Sequence, residues 1–492
     1  MTNTIEMNTA STSRRWTAPA LGTVGVTAGG VAAGLLQPLG PTTAAGALAL
    51  LAGGLALGLV AGALARTRWM ILLAPLTFIV AFEYARTGAG LLTTGPLRLG
   101  SAYGPLAYLL GRLTPWTLAG VSLAVGAGWS VHAGQRRPRR AGLVIATTLT
   151  ALLAASLLLP ASSPALRHAS GEPVEGSVSE LVSVELGGHE QWIQVRGASA
   201  DLPVLLYLSG GPGQSDLPFS RVLLEPLTKD FLVVGWDQRG AGKSYSAIDA
   251  SLTLDRAVED TVELARTLAQ RYGHQKIYLL GESWGSILGV LAVQRAPELF
   301  HAYLGSGQMV DPLATDQAIY RDLVTTAMST GNGDLVASLA KMGQPPYPGG
   351  TIDYGFIFSH YSMLEGSYTP PDAYVQRGSD AGLGPWGILG QEYGPIEKIN
   401  VLRGLMDLHS VMYPQLQQLN LRRDANNLDV PVYLMMGQHE LAARTDPAKE
   451  WFDLLQAPRK RWYSLPDSGH SVAFEQADEL HRILLEDVRV GR

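Results

Sequence analysis

Residues 278–289 read YLLGESWGSILG. Ser283 stands between Gly281 and Gly285, with the apolar run KIYLL leading in and a helix-like run starting at about Trp284. Gly-x-Ser-x-Gly between a strand and a helix predicts a sharp turn that lifts the serine above the edge of a sheet. Small residues on both sides let strand and helix approach more closely than a Cβ would permit. The helix that starts past the serine offers free N–H groups to developing negative charge. Ser283 is therefore the candidate nucleophile, and the N–H of Trp284 the first candidate donor of an oxyanion hole.

Outward from this stretch, short β-type runs and helical runs alternate. ELVSVEL and EQWIQVRG flank GGH as a hairpin, and PVLLYLSGGPG and FLVVGWDQRGAGKS are buried strands that run into glycine-rich loops. TLDRAVEDTVELARTLAQRYG is an amphipathic helix that stops at Gly273. After AYLGSGQMV comes a long irregular region, and then VPVYLMMGQHE and RWYSLPDSGH resume the strand pattern. Buried strands alternating with helices predict an α/β fold with a mostly parallel sheet.

A serine hydroxyl is a weak nucleophile that needs a base, and the base needs an acid to orient it. His470, in the loop SLPDSGHS after the last strand, is the candidate base. His274 and His301 adjoin central sheet elements, His360 and His409 fall in the irregular region, and His439 neighbours a better acid. That acid is Glu440, just past the strand VPVYLMM, with Asp446 as runner-up; Asp467 is read as shaping the turn before His470. The second oxyanion donor is expected from SGGPG, at Gly211.

Taken together these motifs resemble the proline iminopeptidase-like α/β-hydrolases, a family of serine peptidases. GGPG at residues 210–213 is similar to the family's HGGPG, with Ser209 in place of the usual histidine. WDQRGAGKS is similar to DQRGxGxS; GESWGS matches the elbow, with Glu282 where glycine is common. GQHE resembles the acid motif, with Glu440 for the commoner aspartate, and SGHS the histidine loop. The resemblance covers about 178–492 and implies release of an N-terminal residue, often proline, from a peptide; relatives also cleave amides and esters. It implies a helical cap, here about 311–424, whose acidic residues hold the substrate's amino group. Glu365, Asp372 and Glu392 are the cap candidates, and Glu282 a further amine-binding candidate; Asp237 and Arg239 are expected to shape their loop.

Residues 17–160 are of a different kind, rich in Ala, Gly, Leu and Val with few charges. A membrane-spanning helix needs about 20 mainly apolar residues. Stretches 18–37, 43–65, 69–85, 115–133 and 141–160 qualify, whereas 101–113 is short, broken by Pro105 and Arg112, and read as re-entrant or interfacial, with a sixth span as the alternative. Arg14, Arg15, Arg66, Arg68, Arg136, Arg137, Arg139 and Arg140 fall on one side of a five-span arrangement, against Arg86, Arg98 and Arg112 on the other: eight against three. Positive charge marks the cytoplasmic side. The expectation is an N-terminal α-helical transmembrane domain at the cell membrane (1–160), with its N-terminus cytoplasmic. A linker (161–177) would join it to an extracytoplasmic α/β-hydrolase domain (178–492). Glu83, near the end of the third run, is expected to sit at the interface, paired with Arg86.

The 492 residues allow two domains. A net charge of −5 carries no basic bias, so no nucleic-acid partner is expected. Without cysteine there is no disulfide, thiolate metal site or cysteine nucleophile. No metal or cofactor motif is read, and none is expected. The partners expected are a short peptide or small acyl substrate and the lipid bilayer. An esterase or lipase acting near the membrane, and a non-catalytic membrane sensor or binding protein, are the alternatives; the intact set Ser283, Glu440 and His470 argues against the last.

Overall fold

The computed structural model describes residues 9–133, 141–348, 350–366, 368–384 and 387–489. Arg136, Arg137, Arg139 and Arg140 lie outside them. The chain divides into two compact units, one formed by the chain up to Leu97 with Leu106–Pro160 and Gly394–Ile396, the other by Arg98–Pro105, Ala161–Tyr393 and Glu397–Arg492.

The first unit is helical. Its long elements are α1 (Thr9–Leu36), α2 (Ala44–Ala65), α3 (Met70–Ala85), α5 (Leu113–Val131) and α6 (Ala141–Leu157), with the short α4 (Tyr103–Leu110) before α5. These helices fall on the five apolar runs, but among the described residues only α2 is long and apolar enough to cross a membrane by length and composition. The 16 residues of α3 reach about 24 Å, against a hydrocarbon core of about 30 Å. Residues 20–36 of α1 and all of α6 are apolar but likewise short.

Small residues let the helices of this unit approach closely. At Gly58 of α2 an added Cβ would stand 2.3 Å from the Leu123 carbonyl oxygen of α5, and at Gly126 of α5 one would stand 2.3 Å from the Leu55 oxygen. Backbones that touch in this way are the signature of packing through small residues. Leu50, Leu51, Met70, Phe78, Phe82, Leu118 and Leu123 fill the space between them, while Leu59, Val60, Leu72, Leu76, Val80 and Leu149 point outward and are exposed. Among the described residues of this unit the one acidic side chain is held inside a network. Glu83 pairs with Arg86 at 2.9 Å and Arg112 at 3.1 Å and accepts from Trp116 Nε1 at 2.8 Å. Arg112 also donates to the carbonyls of Thr93, Thr94 and Gly95, which fixes the non-helical chain ahead of α4.

The second unit is built on an eight-stranded sheet: β1 (Val178–Leu186), β2 (His189–Gly197), β3 (Val204–Leu208), β4 (Leu232–Asp237), β5 (Ile277–Glu282), β6 (Phe300–Ser306), β7 (Val432–Gly437) and β8 (Lys460–Leu465). Their order is β1-β2-β4-β3-β5-β6-β7-β8. The hairpin β1–β2 turns at Gly187 and Gly188, both at positive φ, and pairs Leu186 with His189. β2 meets β4 antiparallel; every pair from β4 to β8 is parallel. Strands β3, β4, β5 and β7 are buried at every position, which is why they read as continuous apolar runs.

Helices α7 (Leu217–Leu223), α8 (Leu254–Arg271), α9 (Trp284–Arg295), α16 (Ala442–Leu454), α17 (Val472–Glu475) and α18 (Ala477–Ile483) belong with the sheet. Between β6 and β7 the stretch expected to be irregular is mostly helical: α10 (Pro312–Ser329), α11 (Gly333–Met342), α12 (Thr351–Phe358), α13 (Asp372–Asp380), α14 (Pro395–Leu416) and α15 (Leu421–Asp424). Its glycines and prolines punctuate short helices rather than erase them. The segment 161–177 is tied down along β1 and β2. Ser162 N–H donates to Gln391 O at 2.9 Å, Arg196 donates to Ser163 Oγ at 3.1 Å and to the Pro164 carbonyl, and Val174 N–H bonds Leu166 O.

Candidate active site

β5 delivers Ser283 at the C-terminal edge of the sheet, where α9 begins. Ser283 has φ 53° and ψ −118°, one of two non-glycine residues at positive φ among the described residues. That conformation is strained and needs surrounding structure to hold it. A Cβ on Gly281 would stand 2.3 Å from Gly285 O, and one on Gly285 would stand 2.1 Å from Leu208 O. Both positions accept glycine alone, so the elbow reads directly from the two glycines. The Ser283 N–H donates to Ser306 O of β6 at 3.1 Å, which locks the turn to the neighbouring strand.

The loop after β3 runs beside this turn. A Cβ on Gly210 would lie 3.4 Å from Ser283 Cβ, and Gly211 (φ 115°) folds the loop back on Gly213 and Gln214. Gln238, from the DQRG stretch after β4, joins the two walls. Its amide donates to Ser209 O and Ser209 Oγ, both at 3.2 Å, and its Oε1 accepts from Trp284 Nε1 at 2.9 Å. Sequence reading passed over Gln238; its signal was the polar residue between Asp237 and Arg239 beside a glycine turn. Asp237 and Arg239 are structural: Asp237 accepts from Lys243 N–H and Tyr393 OH, and Arg239 holds Asp260 through two nitrogens. Burial pushes the Asp237 carboxyl up to about 7 against those hydrogen bonds.

Two turns bring the other members together. Gln438 N–H donates to Leu465 O and His439 N–H to Ser468 O, so the chain after β7 lies along the chain after β8. A Cβ on Gly437 would meet Gly469 O at 2.1 Å, which shows how closely they pass. Glu440 Oε2 hydrogen-bonds His470 Nδ1 directly. The Glu440 side chain is 1% exposed, that of His470 27%. His470 packs over Gly307, where an added Cβ would lie 3.0 Å from Nδ1, and Gly307 directly follows Ser306, the partner of Ser283 N–H. Burial pushes the Glu440 carboxyl up, but His470 and Arg444 outweigh it and hold the group at about 2. Asp446, the competing acid, is exposed on α16, and Asp467 is exposed in its turn, where its carbonyl accepts from Gln476.

The expected amine-binding carboxylates part company. Glu282 is buried next to Ser283, with Oε2 lacking a hydrogen-bond partner; burial first and then Asp216 push its carboxyl well above the usual range. Glu365 is exposed at a cap turn, and no hydrogen bond or ion pair among the described residues joins it to Ser283, Glu440 or His470. Asp372 is exposed at the start of α13. Glu392 is fully buried and occupied, paired with Arg221 and accepting from Gln194 at 3.1 Å. Among the described residues no cluster of His, Asp or Glu fits a metal ion.

The family model for the alpha/beta hydrolase fold matches residues 203–328, from β3 through the elbow into the first cap helix. A probable aminopeptidase, YbaC of Bacillus subtilis (strain 168), is 29% identical over 306 residues, 62% of this chain and 94% of that protein. A proline iminopeptidase of Lactobacillus delbrueckii subsp. bulgaricus is 26% identical over 313 residues, 61% of this chain and 94% of its own. Among solved structures, the proline iminopeptidase of Mycobacterium smegmatis is 18% identical, covering 63% of this chain and 98% of its own at a TM-score of 0.44. With its mostly parallel sheet and glycine-flanked elbow, the second unit of this chain is an α/β-hydrolase domain with proline iminopeptidase-like relatives.

Proposed function

We propose that this protein is a membrane-anchored serine hydrolase that removes the N-terminal residue from short peptides, with Ser283, His470 and Glu440 as its triad. The observation that carries the reading is the arrival of the Glu440–His470 pair over Gly307, one residue past the carbonyl that pins the strained Ser283 turn. Ser283 Oγ attacks the scissile carbonyl while His470 Nε2 takes its proton; Glu440 keeps the other ring nitrogen protonated and oriented. The N–H groups of Trp284 and Gly211 receive the oxyanion. His470 passes the proton to the departing amine, and water, activated by the same imidazole, releases the acyl group. Glu282 is the carboxylate assigned to the substrate's amino group, because it adjoins the nucleophile; Glu365 would contribute only from the cap surface.

The anchoring is supported by the apolar outer face of the first unit, where Leu59, Val60, Leu72, Leu76, Val80 and Leu149 stand exposed, and by the close approach of its helices through glycine. The five-span reading puts the N-terminus in the cytoplasm and the hydrolase outside. Two of the three arginines opposing that orientation, Arg86 and Arg112, are drawn into the Glu83 network. A C-terminal reporter active only outside the cytoplasm should give signal; a silent, stably expressed fusion reverses the topology.

The activity is tested with aminoacyl nitroanilides, free and N-acetylated, beside nitrophenyl acyl esters. Free-amine substrates should be cleaved and their acetylated forms spared, and Glu282→Gln should raise KM for the free-amine series alone. Faster turnover of esters, indifferent to the amine, would make the protein an esterase instead.

A further inference from the structure

The acid of this site is a glutamate, with one more rotatable bond than aspartate, and it must present one chosen oxygen to His470. Two donors occupy the other oxygen. Glu440 Oε1 accepts from Leu441 N–H at 2.8 Å and from Arg444 Nη1 at 2.9 Å, leaving Oε2 to His470. Arg444 lies four residues after Glu440, one helical turn, in the first turn of α16. Its side chain is 10% exposed. Burying a guanidinium is costly unless a carboxylate meets it with good geometry, so the pair is held as a unit. On its far side Arg444 meets the cap: its guanidinium carbon lies 5.0 Å from the centroid of the Tyr361 ring. In the same cap, Asp316 of α10 accepts from Tyr413 OH of α14 at 2.8 Å.

We propose that Arg444 is a positioning residue for the hydrolysis: it clamps Oε1 of Glu440 so that Oε2 faces His470 Nδ1, and Tyr361 of the cap holds the clamp in place. The proposal rests on the triad reading above. Arg444 is spent on Glu440 and the Tyr361 ring, so as a positioning residue its removal should lower kcat and leave KM alone. A carboxylate free to swing costs the imidazole its alignment, and misplacements of about 1 Å cost on the order of 100-fold.

The test compares Arg444→Met, Arg444→Lys and Tyr361→Leu in the full-length protein, with Asp446→Asn as an exposed control on the same helix. Steady-state constants for a free-amine nitroanilide, thermal melts and the rate of Ser283 labelling by a fluorophosphonate are read on each. Arg444→Met should lose roughly 30- to 100-fold in kcat and in labelling rate, with KM within about twofold. Arg444→Lys should recover part of the loss by keeping the charge, and Tyr361→Leu should lose less than Arg444→Met, again in kcat. A folded Arg444→Met with wild-type kcat, or a loss carried by KM, overturns the proposal. Should Arg444→Met not melt cooperatively, the other two decide: wild-type kcat in both refutes the clamp. Full activity in Ser283→Ala would bring down the triad itself, whereas an inactive Ser283→Ala beside an unimpaired Arg444→Met brings down the clamp alone.

Discussion

The two units differ in what they bury and what they leave exposed. In the hydrolase domain the apolar strands are sealed inside, and several charges are drawn in as pairs: Arg239 with Asp260, Arg221 with Glu392, Arg444 with Glu440. In the helical unit glycine and alanine share the interior with Leu50, Leu51, Phe78, Phe82, Leu118 and Leu123, while a further set of leucines and valines stands exposed. Water rewards the first arrangement, because removing apolar area from it is the main driving force of folding. It gives no such reward to leucine and valine left exposed on the helical unit, where close backbone packing through small residues contributes to holding the helices together.

The sharpest separation between the units is chemical. Ser283→Ala or His470→Ala should lower turnover by several orders of magnitude, about 10⁴-fold or more, while the melt of the domain stays near wild type, since neither side chain fills the core. Glu440→Gln should cost far more than Asp446→Asn, which faces solvent and should stay within about twofold of wild type. Steady-state kinetics on purified variants decide both; the reverse ranking of the two acids would move the third role to Asp446.

A second substitution attacks the comparison itself. Leu72 lies on the outer face of α3 and is 66% exposed. If that face met water, Leu72→Lys would change stability by no more than about 0.5 kcal/mol. Facing lipid, the lysine should cost about 2.5–3.5 kcal/mol near mid-membrane, less if it reaches the interface. Membrane-integrated yield and detergent melts of Leu72→Lys against Leu72→Ala measure the difference. Equal behaviour of the two would break the lipid-facing reading of this unit's outer face.

How much of this was legible beforehand follows from the range of each interaction. The elbow was legible because Gly281, Ser283 and Gly285 act within five residues, and the strands were legible because their apolar runs are local, whereas the order in which they line up in the sheet was not. The pairing of Glu440 with His470 could be anticipated from chain order after β7 and β8, two turns that any such sheet brings together. Glu392 could not be read, since its partners Arg221 and Gln194 are more than 170 residues away along the chain. Gln238 was hidden for a related reason: its use depends on Ser209 and Trp284 reaching it from different strands. In the helical unit composition marked the helices and most of their bounds, 43–65, 69–85, 115–133 and 141–160 against Ala44–Ala65, Met70–Ala85, Leu113–Val131 and Ala141–Leu157, but not the start of α1 at Thr9. A short helix and a spanning one share the same residues, and caps such as Thr43, whose hydroxyl accepts from Gly46 N–H, are all that sets where α2 begins.

The smallest effect concerns how each unit tolerates pH. Asp316 of α10 is buried, and burial pushes its carboxyl up to about 7, with Tyr413 and Gln417 donating to it in partial opposition. A carboxyl whose folded pKa is raised contributes stability that is full below its unfolded pKa, near 3.8, and lost as pH rises through the folded value. Asp237, raised to about 7 on the sheet side, acts in the same direction. The melting temperature of the hydrolase transition should therefore fall by a few degrees between pH 5 and pH 8. Asp316→Asn keeps the shape and an acceptor for Tyr413 OH without a proton to lose, so it should flatten that slope while leaving part of it to Asp237. Melts of wild type and variant across this range supply the measurement. An unchanged slope in Asp316→Asn would mean that the carboxyl ionises in the folded cap as readily as in the unfolded chain, and the contrast between a charge-burying domain and a charge-poor bundle would lose one of its supports.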